Sequence, residues 1–256
     1  MNLLGAEIIE RFYLFLWPMT RISAMLLTTP PFSTASVNLR IRILLAIVLT
    51  WMIYPLHDWP RIDPTSAQGL LELLNQIFIG VCMGLIMQVV VAALVLAGQA
   101  LSAAMGLSMA TLVDPNIGNA PVLSQFVVIM STLIFVGTGG HAVLIGLIME
   151  SFYTLPVGAS ILNQDTYAQV IRWGSMMFLG GVLLTLPVMI TLLFINVGLG
   201  VVTRAAPSLN IFAVGFPAMI AVGLLIFMLS LDSVGGRIEW LWLQGFDVVR
   251  SVLKVP

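Results

Sequence analysis

The sequence predicts an all-α, polytopic membrane-type protein of about six long apolar segments, paired as helical hairpins in a single domain spanning 1–256. Three observations carry this. Hydrophobic residues make up 60% of the chain and charged residues only 8%. The 41 residues between Glu72 and Asp114 contain no Asp, Glu, Lys or Arg, and charge-free runs of 35, 31 and 27 residues follow between Asp114 and Glu150, Arg172 and Arg204, and Arg204 and Asp232. A bilayer core is crossed by roughly 20 mostly apolar residues in a helix, so each run holds at least one crossing. Finally, no Ser/Gly-rich or charged linker divides the sequence.

The first apolar segment, 11–31, ends at Pro30-Pro31; the polar turn 33–38 follows, and Arg40 and Arg42 open the second, 41–57, making a helix–turn–helix hairpin. Trp51, Tyr54 and Trp59 gather at its far end beside His57, Asp58 and Arg61, as aromatic rings do at a membrane interface, and the polar loop there ends near Ser66. Segments 70–105 and 121–153 are longer than one straight crossing, so they must protrude, bend or break; 36 residues extend about 54 Å. In the first of these, Gly80 and Gly84, then Gly98, Ser102, Gly106 and Ala110, recur every fourth position. That spacing lines small residues along one face, where another helix can approach closely. Pro187 and Pro217 interrupt segments 172–203 and 208–232 and favour kinks, because proline removes a backbone donor.

The chemistry is sparse. His57 and His141 stand outside any HExxH pattern, and Ser108 lacks the second glycine of a serine-hydrolase elbow, so neither a zinc protease nor a hydrolase is expected. No metal or cofactor is expected. Cys82, the single cysteine, reads as a buried packing residue, and most of the 15 methionines read as core filling. A net charge of −1 without Lys/Arg clusters argues against nucleic acid as a partner and leaves the lipid bilayer as the surroundings. The N-terminus carries acids ahead of its apolar run, so a cleaved signal peptide is not expected. Asp114, Glu150 and Asp232 fall at segment ends and read as interfacial. Arg21 is the exception, about ten residues into the first apolar segment. It either snorkels or pairs with an acid on a neighbouring subunit, with equal weight. His141 follows Gly137-Thr-Gly-Gly, a sequence suited to breaking a helix, and reads as a hydrogen-bonded structural histidine ahead of a proton relay.

Two punctuated stretches stand apart. In 106–121, Asp114-Pro115 and Gly118-Asn119 are turn formers within an otherwise apolar run. An apolar loop between membrane helices is expected to be buried in protein or in a channel, because lipid does not tolerate exposed irregular backbone. Arg204-Ala-Ala-Pro207-Ser-Leu-Asn210, followed by Gly-Phe-Pro at 215–217, reads as a tight hairpin tip.

Taken in order and spacing, several stretches resemble the FliR family, membrane subunits of the flagellar type III protein export gate. They are the Arg21 segment with Pro30-Pro31-Phe32 and Arg40; Ala97-Gly98 through Gly106-Leu-Ser-Met-Ala and Asp114-Pro115; Gly140-His141 through Ser151-Phe152 and Leu155-Pro156; and Arg204–Phe212 with Gly215-Phe-Pro. The likeness spans nearly the whole chain. It implies a non-enzymatic, pore-forming subunit of a hetero-oligomeric helical export gate in the bacterial inner membrane, within the flagellar basal body. FliP and FliQ are the implied co-subunits, FlhB a contact, and unfolded flagellar proteins the substrate. The 106–121 loop is similar to the family's pore plug, with Gly106, Leu107, Met109, Leu112, Asp114 and Pro115 as its gating residues. Family members commonly carry phenylalanine where this chain has Met109 and Leu112, and glutamate where it has Gln99; the apolar seal is kept, whereas any role of the acid is not. Gly80, Gly84, Gly98, Ser102 and Arg21 are expected to serve subunit packing, and Arg204, Pro207 and Asn210 to form the tip at the cytoplasmic entrance.

That last implication conflicts with the charge count. With six crossings, six basic residues lie on the side of the termini and three (Arg40, Arg42, Arg204) opposite, which favours cytoplasmic termini. The resemblance puts the Arg204–Asn210 tip at the cytoplasm and raises part of the helical assembly out of the bilayer, so that hydropathy overcounts crossings; this arrangement is preferred. The alternatives are the equivalent subunit of a virulence injectisome and, in a different class, a small-solute secondary transporter with helices broken at Gly137–Gly140 and Pro187. The scarcity of embedded carboxylates counts against ion coupling in the latter.

Overall fold

The computed structural model describes residues 2–33, 37–107, 122–158, 164–205 and 211–255. Within these the chain is helical: α1 Asn2–Thr28, α2 Leu39–Ile53, α3 Ala67–Ala104, α4 Val122–Gly137, α5 Gly140–Thr154, α6 Gln164–Trp173, α7 Met176–Ala205, α8 Ile211–Leu229 and α9 Leu231–Leu253. A single turn at Pro30–Ser33 and a 3-10 turn at Tyr54–Leu56 complete the set, and no strand occurs among the described residues. Three stretches are long and apolar enough to cross a membrane, Leu39–Leu56, Ala67–Ala104 and Asp165–Val202; there are up to five when each bent helix pair counts as one span. By length and composition, the described residues thus hold fewer candidate spans than the six segments read from hydropathy.

Local sequence explains the helix boundaries. The Asn38 side chain accepts a hydrogen bond from Arg40 N at 3.2 Å and caps α2. Asp63 Oδ1 accepts from Thr65 N at 2.9 Å, and Ser66 Oγ accepts from Gly69 N at 3.0 Å, so the loop delivers a serine cap at the start of α3. The 38 residues of α3 form one continuous helix, about 57 Å long and far beyond an apolar core of about 30 Å. The 121–153 segment instead breaks: Gly139 takes a positive φ of 75°, ends one helix and caps the next.

Pro187 and Pro217 both lie inside continuous helices. The sharp bend in the last apolar stretch, 63°, falls at Ser230 between α8 and α9 rather than at a proline. Sequence reading ended that stretch at 232 and missed α9, which buries Val234, Ile238, Leu241, Phe246 and Val249 while exposing Asp232, Arg237, Glu239 and Arg250. It is an amphipathic helix, recognisable by apolar residues three and four apart rather than by the absence of charge. The short α6 was missed for the same reason.

Two compact units emerge. The first comprises Met1–Val89, Gly139–Gly174 and Gln244–Pro256. Trp17, Ile22 and Met25 of α1, Leu49 and Ile53 of α2, Met83 and Ile86 of α3, and Leu144 and Ile148 of α5 are buried there. Trp173 Nε1 at the end of α6 donates to the Ile86 carbonyl at 2.9 Å. The second comprises Val90–Thr138 and Ser175–Leu243. It buries Leu94, Leu101, Val127, Phe135, Val188 and Trp242; the Phe135 and Trp242 rings lie 4.7 Å apart, and Trp242 Nε1 donates to Ser131 Oγ at 2.9 Å. Cys82 is buried, as expected.

Candidate functional site

In the first unit the Arg21 side chain is completely buried, so it does not snorkel, and its donors are spent inside the chain. Nε donates to Gln76 Oε1 at 2.7 Å, Nη1 to the Ser151 carbonyl and hydroxyl, both at 2.9 Å, and Nη2 to the Leu155 carbonyl at 2.8 Å. Gln76 Nε2 in turn donates to Glu72 Oε1 at 2.5 Å. The amide therefore bridges the guanidinium to a buried carboxylate on the next turn of α3. Arg21 Cζ also stands 4.2 Å from the centre of the Phe152 ring, a cation–π contact. The neighbouring-subunit acid expected from sequence is replaced by an acid of this chain, reached through Gln76. The Ser151 and Leu155 carbonyls sit at the C-terminus of α5, where the helix dipole attracts a cation; the Ser151 carbonyl also accepts from Leu155 N at 2.9 Å. One arginine thus closes α5 and joins it to α1 and α3. Sequence reading missed Glu72 and Gln76 as its partners; their i,i+4 spacing on one face of α3 was the available signal.

The glycines of α3 are used within the chain. A Cβ on Gly80 would run into the α1 backbone at Arg21 and Met25, and one on Gly84 would overlap Thr28. A Cβ on Gly98, in the second unit, would collide with the backbone of Ser124. Ser124 Oγ donates to the Val95 carbonyl at 3.0 Å, and Ser102 is buried. The close approach predicted from this spacing is made by α1 and α4 of the same chain, because their backbones fill the space that side chains would need.

The helix pair α3 and α4 brackets the loop expected to plug a pore. At the end of α3, Gly106 adopts φ 76° and its N–H bonds to the Ala103 carbonyl at 3.0 Å, a left-handed stop that only glycine takes without strain. Met105 is fully buried and packs on Gly223, and Leu107 is half-buried. Met109, Leu112, Asp114 and Pro115 lie outside the described residues, as do Pro207 and Asn210. Arg204 is exposed in the last turn of α7, where a cation suits the helix dipole. His141, expected to be a hydrogen-bonded structural residue, is exposed and makes no side-chain hydrogen bond among the described residues. It occupies the first turn of α5, immediately after the glycine break and clear of the packed face. No group of three metal-ligating side chains occurs among the described residues.

Comparison with known proteins matches residues 12–244 to the family model described as bacterial export proteins, family 1. The chain is 36% identical over 240 residues to the flagellar biosynthetic protein FliR of Pectobacterium carotovorum, covering 93% of this chain and 92% of that protein. It is 34% identical to FliR of Escherichia coli over 242 residues, covering 94% and 93%. It is 30% identical to FliR of Bacillus subtilis over 253 residues, covering 97% and 93%. With a family match across most of its length and relatives covered almost end to end, the chain belongs to the bacterial export proteins of family 1, the FliR family.

Proposed function

We propose that this chain is a pore-forming, non-enzymatic subunit of the flagellar type III protein export gate, passing unfolded flagellar proteins across the bacterial inner membrane at the flagellar basal body. The observation that carries the reading is the near-complete coverage of relatives named flagellar biosynthetic protein, from bacteria as distant as Escherichia coli and Bacillus subtilis. FliP and FliQ are its co-subunits and FlhB its contact in this reading, and 1–256 acts as one helical membrane subunit. The 106–121 loop serves as the plug: a mostly apolar segment held at its base by a packed helix pair is suited to seal a pore and to yield when a chain arrives. The Arg204–Asn210 tip then lines the cytoplasmic entrance.

Native mass spectrometry of the protein, tagged at its C-terminus and gently extracted from its own membranes, tests the assignment. One copy of this chain with several copies of two other small helical proteins is the expected result, and their identity as FliP and FliQ separates the flagellar gate from an injectisome. A monomer or homodimer without them overturns it.

A further inference from the structure

The second unit carries an unassigned feature where α9 meets α7. Proline at 187 has no N–H, so the carbonyl four residues earlier, Leu183, loses its helical partner. Arg237 of α9 fills the gap by donating from Nη1 to that carbonyl. The arginine is nonetheless exposed and forms no ion pair among the described residues. At about 100° per residue, Glu239 lies about 200° and Asp232 about 140° round α9 from it, so neither acid shares its face. Beside it is an open cavity of about 190 Å³ lined by Gly180, Leu183, Leu184, Arg237, Trp240 and Leu241.

The composition of α7 indicates what covers this surface. At the level of the cavity its small residues turn inward: a Cβ on Gly180 would press on Leu241 and Ala93, and one on Gly181 on Leu96 and the Ala93 carbonyl. Outward it shows large side chains, among them Leu179, Val182, Leu183, Leu186 and Ile190. Helix partners in membranes favour small residues at the contact, whereas a continuous face of large aliphatic side chains suits acyl chains. Trp240, part-exposed on the rim, is the residue type that seats at the headgroup level.

We propose that this cavity is a phospholipid site, in which an anionic lipid such as phosphatidylglycerol sets its phosphate against the remaining N–H groups of Arg237 and lays an acyl chain along α7. The proline-freed carbonyl orients the guanidinium, and Trp240 flanks the headgroup. An anionic lipid is favoured over a zwitterionic one because no carboxylate shares this face and a choline would meet a fixed cation.

The test uses the full-length chain in its native complex, exchanged into nanodiscs holding phosphatidylglycerol and phosphatidylcholine in equal amounts and then released for native mass spectrometry. The expected result is retained phosphatidylglycerol, reduced about fivefold by Arg237→Gln and largely kept by Arg237→Lys, as for one basic residue at an anionic surface. Equal retention of the two lipids, or equal phosphatidylglycerol retention in wild type and Arg237→Gln, overturns the proposal. A photo-crosslinking side chain at position 179, with Arg237 intact, keeps the test open should Arg237→Gln misfold. Crosslinks to lipid support the site, and crosslinks to polypeptide alone overturn it.

Discussion

Replacing Arg21 with methionine removes the cation while keeping most of the apolar stem. Four hydrogen bonds disappear with it. The Leu155 carbonyl at the end of α5 loses its partner, the Ser151 carbonyl keeps only its bond from Leu155 N, and Glu72, linked through Gln76, remains as a buried carboxylate with no compensating charge. Removing one member of a buried ionic arrangement typically costs about 3–5 kcal/mol. At about 2–4 °C per kcal/mol for a chain of this size, the apparent melting temperature in detergent should fall by roughly 6–20 °C. Arg21→Lys should recover only part of this, because a single ammonium cannot reach Gln76 and both carbonyls in the geometry of a planar fork. Arg21→Met combined with Glu72→Gln should lose less than Arg21→Met alone, since the stranded charge is gone. Thermal unfolding followed by the intrinsic fluorescence of the detergent-solubilised protein measures these variants, the Glu72→Gln single variant and the wild type. A melting temperature for Arg21→Met within about 2 °C of wild type, less than 1 kcal/mol on the same scale, would refute the reasoning: the guanidinium would then be spectating. So would a double variant as unstable as the sum of its single changes, because Glu72 would then owe nothing to Arg21.

Four further outcomes are expected. Deleting Ser108–Asn119 should leave assembly intact but make membranes permeable to small ions, measured by dye or ion flux in cells; unchanged permeability would dispose of the plug. Changing Leu107 and Met109 together to Asp should also loosen closure, because a charge in a dry constriction draws in water, and tight membranes in that variant would mean the loop lies elsewhere. Gly84→Leu should disrupt folding of the chain itself, since the new side chain runs into Thr28; loss of expression before any loss of subunit contacts, read by pull-down, separates this from an effect confined to the interface. Finally, burial holds the His57 imidazole below its usual value, outweighing the opposing Ile53 backbone hydrogen bond, and the nearby Arg21 charge adds a lesser push in the same direction as burial. The unfolded chain therefore binds this proton more readily than the native one, and stability should fall as pH drops through the ordinary histidine range near about 6.5. His57→Gln should flatten that decline in a pH series of melting curves.

The distinction between what the sequence carries and what the fold adds is clearest at individual residues. Helical class and membrane character follow from long runs without charge, because a continuous apolar run long enough for a helical crossing differs from the short, alternating strands of a closed barrel, the other structure that satisfies backbone polar groups in lipid. The break at Gly137–Gly139 and the polar turn ahead of α2 were legible because glycine and short polar side chains act on their own few residues. The FliR likeness was legible because it rests on ordered short motifs. The amphipathic α9 was missed because its buried residues are diluted by charge. Hydropathy also counts apolar residues without asking whether they meet lipid or another helix, so six segments were read where helix length and composition mark three to five candidate spans among the described residues.

Partner choice belonged to the tertiary structure alone. Arg21 meets Gln76 at a separation of 55 residues and Leu155 at a separation of 134. Small residues every fourth position announce that a helix will come close, yet local spacing holds no information on which helix arrives. By itself the sequence determined that this is a helical membrane protein with one deeply placed cation and a mostly apolar loop punctuated by turn formers. Only the folded chain decided that the cation is spent on its own helices and that α1 and α4 fill the glycine faces. Propensity and hydropathy act over a few residues, whereas packing is settled between distant segments that compete for the same buried space.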